Sequence, residues 1–336
     1  MKVFRVNGQN YKLPGSLSTF QQEMYVHLIN WKWARITREP GMNDGILYDA
    51  FLPDEYADKY PMLYPNITDA LRQHLQKYPF RIHTYFNHMA SSQAANLNLF
   101  LPILLHPYAN AVFAKLKPDF ARLATENLDH GFRIEFWDVP FGNLHDKSKA
   151  AGTDADVAIV YFNYQDELCL WLIEHKLTEK EFTRCGGAKS HRKRPSHNCS
   201  KSFSEILANK NLCFYHHMSK YNYWNITEAN RSFFVNPTQY AQCPFRGGLN
   251  QLWRNQLLGL SIEQDDRQLY RHVTFSVVKH PRNTYLDQSL ADYQNLIASN
   301  PKFTVFTSAD VIDAAAALND PELDRWIAWY RNLYVL

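Results

Sequence analysis

The sequence predicts an α/β protein, a sheet buried on both faces and covered by helices. Three observations carry this. Residues 157–162 are β-branched and apolar, 163–167 are polar and turn-forming, and 168–173 are apolar again, so the stretch reads as a hairpin of two buried strands. Later in the chain, strand-like runs at 272–278 and 303–307 alternate with helical patterns. Finally, 336 residues that are 46% hydrophobic and 15% aromatic are ample for a large core and exceed the usual length of one domain.

In chain order, residues 1–80 are rich in aromatics and proline, with helices expected near 18–35 and 67–77, and they read as a capping subdomain. Residues 91–105 form a helix with a serine cap, a start that also offers Gln93 to a site, and 113–127 continue the helical pattern. Arg133-Ile-Glu-Phe-Trp137 alternates as a strand carrying Glu135. After the hairpin comes a basic, cysteine-bearing insertion at about 185–243, within a second unit of 81–336. Residues 250–260 are an amphipathic helix that puts Gln251 and Arg254 one turn apart. Strands at 272–278 and 303–307 and helices at 286–298, 310–317 and 322–333 complete the chain. The aromatic stripe Trp326, Trp329, Tyr330 and Tyr334 has helical spacing and reads as core.

The hairpin also carries the chemistry. Residues two apart on a strand share a face, so Glu174 and Lys176 project together while His175 points away. In an antiparallel pair Asp156, at the start of the first strand, falls beside Glu174, at the end of the second. Converging carboxylates need a cation, because otherwise one of them is driven to protonate. Mg²⁺ or Mn²⁺ is the natural candidate. Taken singly, Asp156 reads as a turn residue and Glu-x-Lys as a solvated cross-strand face. The apolar strands on either side argue instead that the charges end a buried hairpin.

Asp156, the strand after it and Ile173-Glu-His-Lys176 resemble the PD-(D/E)XK nuclease superfamily. The segments from His88 to Pro102, Cys185-Gly-Gly187, Cys213-Phe-Tyr-His216, Tyr223-Trp224 and Cys243 to Asn255 extend the likeness to a bacterial branch of restriction endonuclease-like proteins, over roughly 80 to 336. The resemblance implies a restriction-endonuclease-like core, a mixed central sheet flanked by helices. It also implies a divalent ion held by Asp156, Glu174 and the His175 carbonyl, with Lys176 orienting the attacking water. Ala155 stands where the motif's proline would be, which leaves Asp154, on the same face as Asp156, as a further ligand. Glu135 matches the additional upstream acid of many such nucleases. Gln251 resembles the start of the Gln-x-x-x-Tyr helix of exonuclease branches, with Asn255 in place of the tyrosine.

Net charge is only +3, so bulk charge does not make this a nucleic-acid binder. The basic excursion after the hairpin is more telling: Lys189, Arg192, Lys193 and Arg194, together with Arg254, are candidates for phosphate contact. Cys185, Cys199, Cys213 and Cys243 follow the catalytic strands without any Cys-x-x-Cys pair and are candidates for Zn²⁺ or an iron–sulfur cluster, whereas Cys169 reads as core. No apolar run reaches the ~18 residues of a membrane span, and the start lacks a signal peptide's apolar segment, so a cytoplasmic location is expected.

The expectation is a Mg²⁺-dependent deoxyribonuclease, an endonuclease before an exonuclease, serving restriction or phage defence. Its partners would be nucleic acid, with a second copy of the chain or a defence-system protein. The competing class is a nucleic-acid-binding protein that keeps the fold without turnover. A glycosidase would use two carboxyls but has no need of Lys176.

Overall fold

The computed structural model describes residues 2–336 apart from 57, 138–140, 147–151, 191–196 and 198. In chain order its elements are β1 (Lys2–Val6), β2 (Gln9–Leu13), α1 (Thr19–Arg35), β3 (Gly41–Asn43), β4 (Ile46–Tyr48), α2 (Thr68–Lys77), α3 (Ser92–Leu104), α4 (Ala109–Leu116), β5 (Phe120–Leu123), β6 (Phe132–Trp137), β7 (Asp154–Asn163), β8 (Leu168–Lys176), α5 (Gly186–Ser190), α6 (Phe203–Ala208), α7 (Phe214–His217), α8 (Tyr223–Ala229), α9 (Leu249–Glu263), β9 (His272–Lys279), α10 (Asp287–Leu296), β10 (Phe303–Thr307), α11 (Ser308–Ala316) and α12 (Pro321–Tyr334).

The fold is α/β. Its central sheet runs in the order β10-β9-β8-β7-β5, with β6 also paired to β7. The pairs β7·β8, β6·β7 and β5·β7 are antiparallel, while β8·β9 and β9·β10 are parallel, so the sheet is mixed. Its two faces feed separate cores. Val157, Ile159, Trp171 and Ile173 bury against α1, α3, α4, α11 and α12; Ala158, Val160, Leu170 and Leu172 bury against α6, α8, α9 and α10. Even-numbered residues of β8 thus face α9, and Glu174 and Lys176 continue that series.

One expected helix is corrected. The helical pattern over 113–127 stops at Leu116, and residues 120–123 are instead the strand β5, paired with the end of β7. The cause is Pro118. It forces Lys117 into an extended conformation (φ −133°, ψ 106°) and cannot itself continue the helix. Elsewhere local chemistry sets the boundaries as read. Ser18 caps α1 through a capping box with Gln21, and Ser91 caps α3 by accepting the Ala94 N–H at 3.3 Å. Trp326, Tyr330 and Tyr334 are buried in the core, as is Cys169. Among the described residues no single helix is long and apolar enough to cross a membrane; α3 and α4 together have the composition but are bent by 119°.

Strand β6 departs from regular alternation. Phe132 and Ile134 bury in one core and Phe136 in the other, because Glu135 between them takes a left-handed backbone with φ 50°. His74 holds the strand just before this break. Its Nε2 accepts the Ile134 N–H at 3.1 Å, its Nδ1 lies 2.7 Å from Asp129, and its ring stacks on Phe132.

Candidate active site

Strand register brings the acids together. Ile134 pairs with Val157 and Phe136 with Ala155, so Glu135 stands opposite Asp156. Val157 pairs with Ile173, so Asp156 is also level with Glu174 on the other side. Glu135, Asp156 and Glu174 therefore form a row across three adjacent strands, with Asp154 and Lys176 two residues further along β7 and β8.

Each member is fixed by a neighbour. Glu174 is buried and accepts three donors: Lys176 Nζ at 2.7 Å, Gln251 Nε2 at 2.6 Å and Asn255 Nδ2 at 2.9 Å. An ionised carboxylate has about four acceptor positions, so roughly one remains for anything else. Asp156 accepts the His175 N–H at 2.6 Å, and its own backbone carbonyl accepts Asn96 Nδ2 at 3.1 Å. Glu135 accepts Gln93 Nε2 at 2.8 Å, and Gln93 in turn spans the Arg81 carbonyl and the His83 N–H. The structure thus realises both readings of the α3 start: Ser91 caps the helix and Gln93 reaches the acid row.

The electrostatics are those of several carboxylates sharing few cations, Lys176 and, beside Asp154, Arg254. Burial pushes Asp156 well above the ordinary carboxylate range, with Glu174 and Glu135 adding to the rise and Lys176 only partly opposing it. Glu135 is likewise held well up by burial and then by Asp154. Asp154 is reached by solvent but lies in a recess of the protein, and loss of surrounding water, followed by Glu174, lifts it to about 6. Burial pulls Lys176 down, but Glu174, Glu179 and Asp156 outweigh it and hold the ammonium above its usual value. His175 points away from this group as strand alternation requires, and burial lowers its imidazole to about 4.

Helix α9 supplies more than the sequence indicated. Gln251 reaches Glu174, but so does Asn255 one turn later, a residue the sequence reading treated only as a mismatch. Asn96 stands in the same relation to Gln93 on α3. Helical spacing from a residue already suspected was the signal that could have found both. Arg254 turns elsewhere. It donates to Thr153 Oγ1 at 3.0 Å and to the Gly152 carbonyl at 2.5 Å, tying down the segment that leads into Asp154.

The basic excursion is largely self-neutralised where it is described. Arg184 pairs with Glu181 at 2.5 Å, Lys201 with Glu205 at 2.8 Å and Lys210 with Glu228 at 2.6 Å. Arg192, Lys193 and Arg194 lie outside the described residues, and of Lys189 the backbone alone is described, at the end of α5.

Cys185 and Cys213 are buried, Cys199 and Cys243 half-buried, and none is in a disulfide. They come from separate segments yet lie close enough to raise one another's thiol pKa values. Burial first and then Cys213 and Cys199 push Cys185 up to about 12, and burial and then Cys213 and Cys185 hold Cys243 well up. Among the described residues, no set of three or more histidine, cysteine, aspartate or glutamate side chains is gathered so as to hold a metal ion by itself.

A family model described as "Restriction Endonuclease associating with ARP" matches residues 37–335, a span that contains the whole acid row, Lys176, α9 and the four cysteines. No curated protein and no solved structure matches the chain.

Proposed function

The chain belongs to the family of restriction endonucleases associating with ARP, a nuclease-type family, and from that premise we propose that it hydrolyses phosphodiester bonds with a divalent metal at the Asp156–Glu174–Lys176 end of the sheet. The observation that carries the reading is the crowding of Glu135, Asp154, Asp156 and Glu174 at one end of the sheet, with Lys176 and, toward Asp154, Arg254 as counter-charges for the four carboxylates. A folded chain gains nothing from such an excess of negative charge unless a cation compensates it. The arrangement suits Mg²⁺ or Mn²⁺, which take one or two carboxylates, keep several waters and share the substrate's phosphate oxygens. Asp156 and Glu174 would be the principal ligands, with Asp154 and the His175 carbonyl as further donors.

When bound, the ion supplies Lewis-acid polarisation of the scissile phosphate and a water of lowered pKa. The chain's own part is positional. Gln251 and Asn255 hold Glu174 in one orientation, so its remaining acceptor position is fixed. The His175 N–H does the same for Asp156, and Gln93 for Glu135. Lys176, kept fully protonated by its acidic neighbours, orients the attacking water or offsets charge developing on the phosphate oxygens. On this reading the sheet and its helices are a restriction-endonuclease-like core, residues 1–80 are its cap, and the substrate is DNA, cut internally in restriction or phage defence in the cytoplasm. The words "associating with ARP" in the family's description support a partner protein for this chain as well.

The cysteines are a second component of the proposal. Four thiols in mutual electrostatic range suit thiolate–metal chemistry, and Cys185 and Cys213 each receive backbone N–H groups from two and three residues onward, which favours the thiolate. Zn²⁺ or an iron–sulfur cluster would draw them together and clamp the segments on either side of α5 and α7. Elemental analysis and the visible spectrum of the protein purified without oxygen test this. Colourless protein with neither metal would overturn it.

The nuclease is tested with linear, circular and single-stranded DNA and with RNA, in Mg²⁺, Mn²⁺ or EDTA, alongside Glu174→Ala and Lys176→Ala. Metal-dependent cleavage that both variants lose is the expected result. Tight binding without cleavage by the wild type would point to a non-catalytic binding protein, and cleavage retained by both variants would place the site elsewhere.

A further inference from the structure

A cavity of about 390 Å³ lies where the chain leaves β8, lined by Thr178 and Glu179, two and three residues after Lys176, by Ser91 and Ser92 at the start of α3, and by aromatic side chains. That volume lies within the range of small-ligand clefts. We propose that it receives one nucleobase of the bound strand, next to the bond that is cut, with Tyr85 as the stacking face at its mouth. The inference rests on the nuclease reading above and names a substrate contact for that same site.

Continuity with the acid row comes first. The segment that forms one wall also carries Gln93, whose amide holds Glu135, and the His83 N–H at the cavity donates back to Gln93 Oε1 at 2.9 Å. The opposite wall begins two residues after Lys176. A strand with its phosphate at Asp156 and Glu174 therefore passes this opening.

The lining decides which part of the strand enters. No lysine or arginine is among the lining residues, and burial lowers the pKa of both histidines, to about 4 for His88, so the walls carry no fixed positive charge. The carboxylate of Glu179 is fixed there by the Leu177 and Thr178 N–H groups at 2.8 and 2.9 Å. Such walls repel a phosphate. A base is uncharged, has faces that stack on aromatic rings, and presents amino groups that a fixed carboxylate accepts.

The rings form a platform braced by tilted and edge-on contacts. His88 lies 4.9 Å from Tyr25 and 4.7 Å from Phe51, and Tyr85 meets Phe51 edge-on at 6.3 Å. Tyr85 is 55% exposed, so core packing does not account for it. Removing its ring leaves the buried part of the platform in place, which makes it the clean variant.

The test uses oligonucleotides, single- and double-stranded, with 2-aminopurine moved one position at a time through the cleaved region. Binding and fluorescence are read in EDTA for wild type, Lys176→Ala, Tyr85→Ala and Tyr85→Phe, and cleavage in Mg²⁺ for the same set. The proposal expects one position whose fluorescence changes in wild type, Lys176→Ala and Tyr85→Phe, and not in Tyr85→Ala. Tyr85→Ala should also bind about 5- to 150-fold more weakly, the loss of one base stack. If the wild type cleaves but Tyr85→Ala binds and cuts like it, with no position responding, the base pocket is overturned and the nuclease reading stands. A wild type that neither binds nor cuts overturns both.

Discussion

Replacing Glu174 by glutamine changes one oxygen to an amino group and removes one charge, yet the structure makes this a costly substitution. The wild-type carboxylate faces three donors, Lys176 Nζ, Gln251 Nε2 and Asn255 Nδ2, and the Glu174 and Lys176 side chains are only 5% and 10% exposed. Glutamine must point its own NH₂ at one of these donors and leaves the ammonium without its closest counter-charge. Breaking a buried pair by removing one partner costs about 3–5 kcal/mol. Asp156 and Glu179 remain to compensate Lys176 in part, so the lower end, about 3 kcal/mol, is expected. Adding Lys176→Met should recover part of the loss, with a coupling energy of roughly 1.5 kcal/mol or more in the double-mutant cycle. The assay is urea denaturation in EDTA near neutral pH. Lys176 is raised above its unfolded value, so its contribution is fully present below the unfolded pKa of 10.5 and is lost only as pH rises through the still higher folded value. Neutral pH therefore measures the whole effect. A coupling under about 0.5 kcal/mol would refute the claim that the two residues depend on each other, and with it the reason given for Lys176 staying charged.

Mg²⁺ at a hundredfold excess over its dissociation constant should stabilise the wild type by about 2.7 kcal/mol in thermal unfolding and leave Asp156→Ala unmoved; equal shifts in both would place the ion elsewhere. Asn255→Ala removes one donor from Glu174 and should lower stability by about 1 kcal/mol and kcat by about tenfold with KM little changed; a KM effect alone would make Asn255 a binding residue. For Asp154, lifted from 3.8 to about 6, the sign is opposite to that of a salt-bridged acid: the unfavourable contribution is absent below pH 3.8 and complete above about 6. Solvent screening of this exposed side chain cuts the full value to about 1 kcal/mol. Metal-free Asp154→Asn should therefore be more stable than wild type by about that amount at pH 8 and indistinguishable from it at pH 3.5, and a constant difference across the range would contradict the shift. Cleavage should fall as the solution is acidified through about pH 6, because protonated carboxyls no longer hold the ion; activity unchanged at pH 5 would count against them as ligands.

The hairpin was legible in the sequence because burial on both faces leaves an uninterrupted apolar run bounded by polar residues, whereas the strands at 272–278 and 303–307 were marked by their β-branched and aromatic residues. The helix expected over 113–127 failed at Lys117-Pro118, where a local rule about the residue before proline outweighs a periodic pattern on both sides. Asp156, Glu174 and Lys176 could be placed together from alternation alone, since a hairpin fixes its own register. Glu135 could be named but not positioned: its level with Asp156 depends on pairing between β6 and β7, and a connection as long as residues 138–153 does not fix their register as a tight turn does. Asn255 and Asn96 were harder still. Both reach the acid strands from helices remote in sequence, Asn255 at the Glu174 carboxylate and Asn96 at the Asp156 carbonyl, so helical spacing from Gln251 and Gln93 could mark them as candidates but not show which group each would meet.

What the sequence could not show is also where the fold departs most from its own preferences. Glu135 takes a left-handed backbone inside a strand, a conformation that costs a non-glycine residue on the order of 1 kcal/mol or more, and it does so while buried beside other acids. The surrounding structure enforces this: His74 holds the Ile134 N–H on one side of the break, and Gln93 holds the carboxylate itself. Two devices keep an unfavourable residue in an unfavourable place. A protein selected for stability alone would relax the backbone with glycine or remove the charge, and either change would spare it the repulsion that lifts Asp156. Keeping both points to a role that needs the Glu135 carboxylate at that spot. On the proposed function a cation shared along the row would meet that need, because it would turn the repulsion among the acids into attraction for the ion.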